Sequence, residues 1–108
     1  MNYLLDKHTL IWFLNGNQNL SIAAKDIIEN KEATVFVSIV SLWEISVKIS
    51  LKKLTLHTSY DNFKAAIELN NIKILGITFE DTLIVSNLPF FHKAPFDRLI
   101  ISQAVLIF

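Results

Sequence analysis

Three acidic side chains of this 108-residue chain belong to apolar segments that are expected to bury them. Asp6 ends one such segment, Glu44 lies inside a second, and Asp97 opens a third. A carboxylate in a low-dielectric environment is costly unless it is paired or binds a metal ion. The three acids together therefore predict a shared centre for a divalent cation. Because its ligands would be oxygens, without a His or Cys set, the expected ion is Mg²⁺ or Mn²⁺.

Hydrolysis of a phosphodiester bond is the chemistry that such a centre supports. Carboxylate-bound cations activate a water molecule and stabilise the oxygen that leaves phosphorus. Thiol catalysis and zinc–thiolate sites are excluded because the chain has no cysteine. Ser38 and Ser41 lack the neighbouring base that nucleophilic catalysis requires. His8 could bind phosphate or carry a proton, but a histidine at a helix start more often has no chemical role.

Each acid also has a structural interpretation that requires no metal. Asp6 could cap the helix that follows it, since a side-chain oxygen at a helix N-terminus accepts backbone N–H bonds. Glu44 could pair with Lys48 one helical turn later. Asp97 near a helix N-terminus would be favoured there by the helix dipole alone. No single acid is decisive, so the metal-site hypothesis depends on all three acids lying together.

Short apolar strands alternate with helices along the chain. The patterns predict strands at residues 1–5, 34–37 and 72–77. They predict helices at residues 8–14, 22–29, 42–51, 60–70 and 79–87, a loop at 88–94 and a last helix from residue 96 onward. This alternation is typical of an α/β fold in which helices cover a parallel sheet. Ligands of such sheets gather at the carboxyl ends of the strands, so we expect the three carboxylates within roughly 8 Å of one another.

The composition indicates a single globular domain that spans residues 1–108. Apolar residues make up 52% of the chain, enough for a core, and we expect Trp12, Phe13 and Trp43 to belong to it. A net charge near zero argues against a general nucleic-acid coat protein, although an enzyme that binds a short stretch of RNA stays open. The lack of cysteine, of a signal peptide and of an apolar run of about 18 residues favours a cytoplasmic protein over a membrane protein.

Three segments taken together resemble PIN-domain toxins of the VapC type. They are LLDKHTLIWFL at residues 4–14, SIVSLWEISVK at 38–48 and LPFFHKAPFDRLIISQA at 88–104, and they cover essentially the whole chain. The resemblance implies a three-layer α/β/α domain with a short, mainly parallel central sheet. It implies a Mg²⁺-dependent endoribonuclease whose catalytic, metal-binding acids are Asp6, Glu44 and Asp97. It also implies an RNA substrate, a cognate antitoxin and a homodimer.

The chain departs from the VapC pattern at three points. Lys7 follows the first acid where the family usually has Thr or Ser, and an ammonium directed at the acids would oppose cation binding. Ala94 stands where an Asp is usual. No Thr-x-Asp segment with a fourth acid follows Asp97, so we expect a C-terminally short domain that lacks its last strand. We therefore expect weak cleavage or none. The alternative function is a catalytically impaired binding module that associates with an antitoxin or with itself.

Overall fold

Strands and helices alternate along the part of the chain that the computed structural model describes, which is residues 2–56 and 58–87. The strands are Asn2–Leu5 (β1), Thr34–Ser38 (β2) and Ile72–Leu75 (β3). The helices are Lys7–Asn15 (α1), Ile22–Glu29 (α2), Ile39–Ser50 (α3), Phe63–Leu69 (α4) and Phe79–Asn87 (α5), and a 3₁₀ turn at Tyr60–Asn62 precedes α4. Among these residues, no helix is long and apolar enough to cross a membrane. The predicted loop at 88–94, the predicted last helix and Asp97 lie outside the described residues.

One parallel sheet contains the three strands in the order β1–β2–β3. Leu5 pairs with Val37 at the end of β1, and Ser38 pairs with Leu75 at the end of β3. All three strands therefore end at the same edge of the sheet. Helix α1 begins two residues after β1, and α3 begins directly after β2, so the first turns of both helices lie at this edge. The predicted α/β fold with a short parallel sheet is confirmed.

The hydrophobic core lies between the sheet and the helices that pack on it. Leu10 of α1, Val37 of β2 and Ile45 of α3 are completely buried within one apolar cluster. Helix α4 adds Phe63 and Ile67, which are four residues apart and so share one face of the helix. The two helices that follow β1 and β2 are thus each fixed by a fully buried side chain. This packing determines where the residues in their first turns lie.

Side-chain caps begin four of the described helices, α1, α2, α3 and α5. The Asp6 carboxylate accepts a hydrogen bond from the Thr9 amide, and the Ser21 hydroxyl accepts one from the Ala24 amide. The Ser38 hydroxyl accepts a hydrogen bond from the Val40 amide at the start of α3. At the start of α5, Thr78 and the buried Asp81 exchange bonds in a capping box, in which each backbone amide is bonded by the other side chain. Such caps satisfy the amides that a helix leaves unpaired at its N-terminus.

Several predicted boundaries differ from the structure for identifiable reasons. Helix α3 begins at Ile39 rather than at Leu42, because Ser38 rather than Ser41 provides the cap. Strand β3 ends at Leu75 rather than Ile77, because its partner strand β2 ends at Ser38, which pairs with Leu75. The expectation that Trp43 belongs to the core is wrong, since 53% of its surface is exposed. The neighbours Leu42 and Ile45 occupy the buried face of α3 instead.

We expect the substitution Gly16→Ala to lower the free energy of unfolding by about 1 kcal/mol. Gly16 ends α1 with a φ of 64°, a left-handed conformation that a Cβ atom makes unfavourable. Gly76→Ala is the matched control, because Gly76 does not have a positive φ and an added Cβ would meet no atom within 4 Å. Urea denaturation of the two variants measures the difference. Equal stabilities would contradict the role assigned to the left-handed conformation.

Candidate metal centre

Asp6 is the residue between β1 and α1, and its carboxylate begins the helix. Its Oδ1 accepts a hydrogen bond of 2.8 Å from the Thr9 amide. The side chain is exposed, so the expectation of a buried acid is wrong at this position. The physical reason is that a helix cap lies at the end of the sheet, where solvent reaches it. Oδ2 makes no hydrogen bond to any residue of the described ranges, so capping leaves one oxygen available to a cation.

Glu44 lies in the second turn of α3, and its side chain is only 16% exposed. Lys7 Nζ donates a hydrogen bond to Glu44 Oε2, although the two residues are 37 positions apart in the sequence. Lys48 Nζ lies 3.7 Å from the same oxygen, so the predicted pair one helical turn apart is also present. Within the part of the chain that the structure describes, no group donates to Oε1. Both ammonium groups therefore contact one oxygen of the carboxylate, and no residue of the described ranges bonds the other.

Lys7 reaches Glu44 because it is the first residue of α1, which packs against α3. Its side chain is 19% exposed, so water screens the ion pair only partly. The predicted possibility that the Lys7 ammonium points at an acid is thus confirmed for Glu44. The pKa of Lys48 is lowered, mainly because the Lys7 side chain contacts it and adds a second positive charge, while Glu44 opposes this shift. Two cations therefore compete for a single carboxylate oxygen.

Ser41 is a buried polar residue whose significance the sequence did not reveal. Its side chain is 1% exposed, and its hydroxyl has no hydrogen-bond partner, alone among the buried side-chain polar atoms of the described residues. Ser41 precedes Glu44 by three positions on α3, a spacing that puts two side chains on one face of a helix. That spacing is the signal that could have identified it. An unpaired buried hydroxyl is costly, which makes it a candidate to bond a ligand or its water.

The oxygen donors at this edge fit a hard divalent cation such as Mg²⁺ or Mn²⁺. Asp6 Oδ2 and Glu44 Oε1 each follow one of two neighbouring parallel strands. His8 is exposed and lies beside Trp12, with ring centroids 6.0 Å apart. No group of three His, Cys, Asp or Glu side chains that could hold a metal occurs within residues 2–56 and 58–87. Asp97 lies outside these ranges, so the three-acid arrangement stays a prediction.

A separate groove lies between α4, β3 and the start of α3. Its volume is about 970 Å³, and its walls include Leu42, Tyr60 and Ile72. The Tyr60 hydroxyl donates a hydrogen bond of 2.9 Å to the Leu42 carbonyl oxygen, and burial raises the pKa of Tyr60. Neither Asp6 nor Glu44 lines this groove. The candidate metal ligands therefore occupy a different surface, at the carboxyl ends of β1 and β2.

Known proteins share this fold. The family model described as PIN domain matches residues 3–107. A solved structure with the same fold is that of VapBC2 from Rickettsia felis bound to a DNA fragment from their promoter. The two chains are 18% identical with a TM-score of 0.66, and the alignment covers 97% of this chain and 81% of the other. At this level of identity the likeness shows the fold alone. No curated protein is significantly similar to the chain in sequence.

Proposed function

The chain belongs to the PIN domain family, and we propose that it is a Mg²⁺- or Mn²⁺-dependent endoribonuclease, the toxin of a toxin–antitoxin pair. One observation carries the proposal. Two acids, Asp6 and Glu44, follow neighbouring parallel strands, and each has one carboxylate oxygen without a hydrogen bond from a described residue. That edge is where parallel sheets of this kind bind their ligands.

The residues of the site have distinct roles in the proposed reaction. Asp6 Oδ2, Glu44 Oε1 and the carboxylate of Asp97 would hold the cation. When bound there, the cation would supply a water molecule of lowered pKa and would neutralise charge on the phosphate. Glu44 is oriented for this role by the Lys7 hydrogen bond to its other oxygen. Asp6 is oriented by the Thr9 amide, which fixes its carboxylate at the start of α1.

RNA, an antitoxin and a second copy of the chain are the proposed partners. RNA and the homodimer are supported by the resemblance of three sequence segments to VapC-type toxins. The antitoxin is supported also by the similar solved structure, which is that of VapBC2. The net charge near zero is consistent with a protein that binds a short stretch of RNA rather than covering a long one.

We expect any cleavage of single-stranded RNA by the chain to be weak, as its departures from the VapC pattern predict, to require Mn²⁺ or Mg²⁺ and to stop when EDTA removes the ion. Asp97→Asn should reduce the rate at least about 100-fold, because a neutral amide ligates a hard cation more weakly than a carboxylate does. Asp26→Asn on the exposed surface of α2 is the control and should leave the rate unchanged. The measurement is cleavage of end-labelled RNA. Cleavage that persists in EDTA, or in Asp97→Asn, would contradict the proposal.

A catalytically impaired binding module is the second candidate, and the contact of Lys7 with Glu44 favours it. An ammonium on a metal-binding carboxylate opposes the ion that catalysis needs. The discriminating measurement is size-exclusion chromatography of the chain alone and with its antitoxin, beside the cleavage assay. Stable association without metal-dependent cleavage would support the binding module. A monomer that neither cleaves RNA nor binds the antitoxin would exclude both functions.

A further inference from the structure

Both ammonium groups at Glu44 contact the same oxygen. Lys7 Nζ donates to Oε2, and Lys48 Nζ lies 3.7 Å from Oε2. Oε1 receives no hydrogen bond from the residues that the structure describes. The carboxylate therefore has one oxygen paired with two lysines and one oxygen that no described residue bonds.

This division limits how many metal ions Glu44 can bind. In a centre with two ions about 3.5–4 Å apart, a shared carboxylate uses one oxygen for each ion. Glu44 has only Oε1 to offer while Lys7 remains on Oε2. We propose that the Lys7 ammonium occupies the position of a second cation, so that the centre binds a single divalent ion. This inference rests on the proposed metal-dependent function and specifies the composition of its site.

The charges at the site support one ion rather than two. Asp6, Glu44 and Asp97 would contribute three negative charges, whereas Lys7, Lys48 and one divalent ion together would contribute four positive charges. A second divalent ion would add two more positive charges to a partly buried site, where charges are poorly screened. Charge balance of this kind favours the ammonium over a second ion.

Lys7 rather than Lys48 carries this role because of its position. The Lys7 side chain is 19% exposed, and its backbone lies in the first turn of α1, which Asp6 caps. Lys48 is 39% exposed and lies farther from Oε2. A more exposed ammonium at a longer distance is screened by water and is displaced more easily. Removal of Lys48 should therefore change metal binding less than removal of Lys7.

Counting the Mn²⁺ ions bound per chain tests the inference directly. Isothermal titration calorimetry and the electron paramagnetic resonance signal of free Mn²⁺ give the stoichiometry without an activity measurement. We expect one ion for the natural chain and two for Lys7→Thr, whose first ion should bind about tenfold more tightly. Lys7→Arg keeps the charge and should keep one ion. Lys64→Thr removes an exposed ammonium on α4 and should also keep one.

The outcomes separate failure of this inference from failure of the proposed function. Two ions on the natural chain, or a single ion on folded Lys7→Thr, would overturn the role of Lys7 and leave a metal-dependent enzyme intact. Absence of Mn²⁺ binding in the natural chain and in every variant would overturn both. Circular dichroism of each variant establishes that it is folded, and Lys7→Gln, which also removes the positive charge, tests the stoichiometry if Lys7→Thr does not fold.

Discussion

Glu44→Gln is expected to reduce metal-dependent RNA cleavage at least about 100-fold, since loss of an outer-shell partner alone can cost 10–100-fold. The substitution keeps the size of the side chain and replaces a charged ligand oxygen with a neutral one. Hard divalent cations prefer carboxylate oxygens, so the affinity for Mn²⁺ should fall as well. The rate of RNA cleavage and calorimetric Mn²⁺ binding measure the two effects.

The same substitution is expected to lower the stability of the folded chain. Lys7 loses the carboxylate that its partly buried ammonium contacts, and hydrogen bonds to charged groups contribute roughly 1.5–3 kcal/mol. Glu68→Gln is the matched control, because Glu68 also pairs with a lysine but is 60% exposed. Its effect should be below about 1 kcal/mol. Undiminished cleavage by a folded Glu44→Gln variant would contradict the assignment of Glu44 as a ligand.

Leu10→Ala is expected to lower the free energy of unfolding by about 3 kcal/mol, a large share of the stability of a domain of this size. Leu10 is completely buried in the apolar cluster that fixes α1. Its truncation removes buried methyl groups and leaves a cavity that the surroundings fill only in part. The melting temperature should fall by roughly 10–20 °C.

Leu69→Ala provides the control for Leu10→Ala, since it makes the same chemical change at a residue that is 82% exposed. Its effect should stay within about 0.5 kcal/mol. Urea denaturation gives both free energies, and thermal melting gives both temperatures. Similar losses for the two variants would show that α1 is not fixed through Leu10. Since Asp6 and Lys7 lie at the start of α1, such a result would also show that the burial of Leu10 does not determine their positions.

Local sequence patterns were sufficient to predict the strands and α-helices within the part of the chain that the structure describes. The β-branched and aromatic run from Thr34 indicated β2, and the short polar residue Ser21 indicated the start of α2. Both signals depend only on residues that are close in the sequence, so they can be read from a single sequence. The predicted boundaries of β3 and α3 were less accurate. The end of β3 depends on the length of its partner strand, and the start of α3 depends on whether Ser38 or Ser41 caps the helix.

Long-range contacts account for what the sequence did not reveal about the site. The partner of Glu44 could be predicted one helical turn away at Lys48, but the closer partner is Lys7 on another helix. The exposure of Trp43 and the orphan hydroxyl of Ser41 depend on how α3 is rotated against the sheet. That rotation is fixed by packing, which an apolar pattern indicates only approximately.

The side chain of Lys7 takes no part in the Asp6 cap or in the apolar cluster that fixes α1. Its side chain can therefore change while the Asp6 cap and the apolar packing that position α1 are kept. Lysine and threonine codons can differ by one nucleotide, and threonine is one of the residues usual at this position in the family that the chain resembles. A single point mutation would thus interconvert a site with a built-in ammonium and a site without one. Selection could in this way adjust the metal requirement of the protein while leaving its scaffold unchanged.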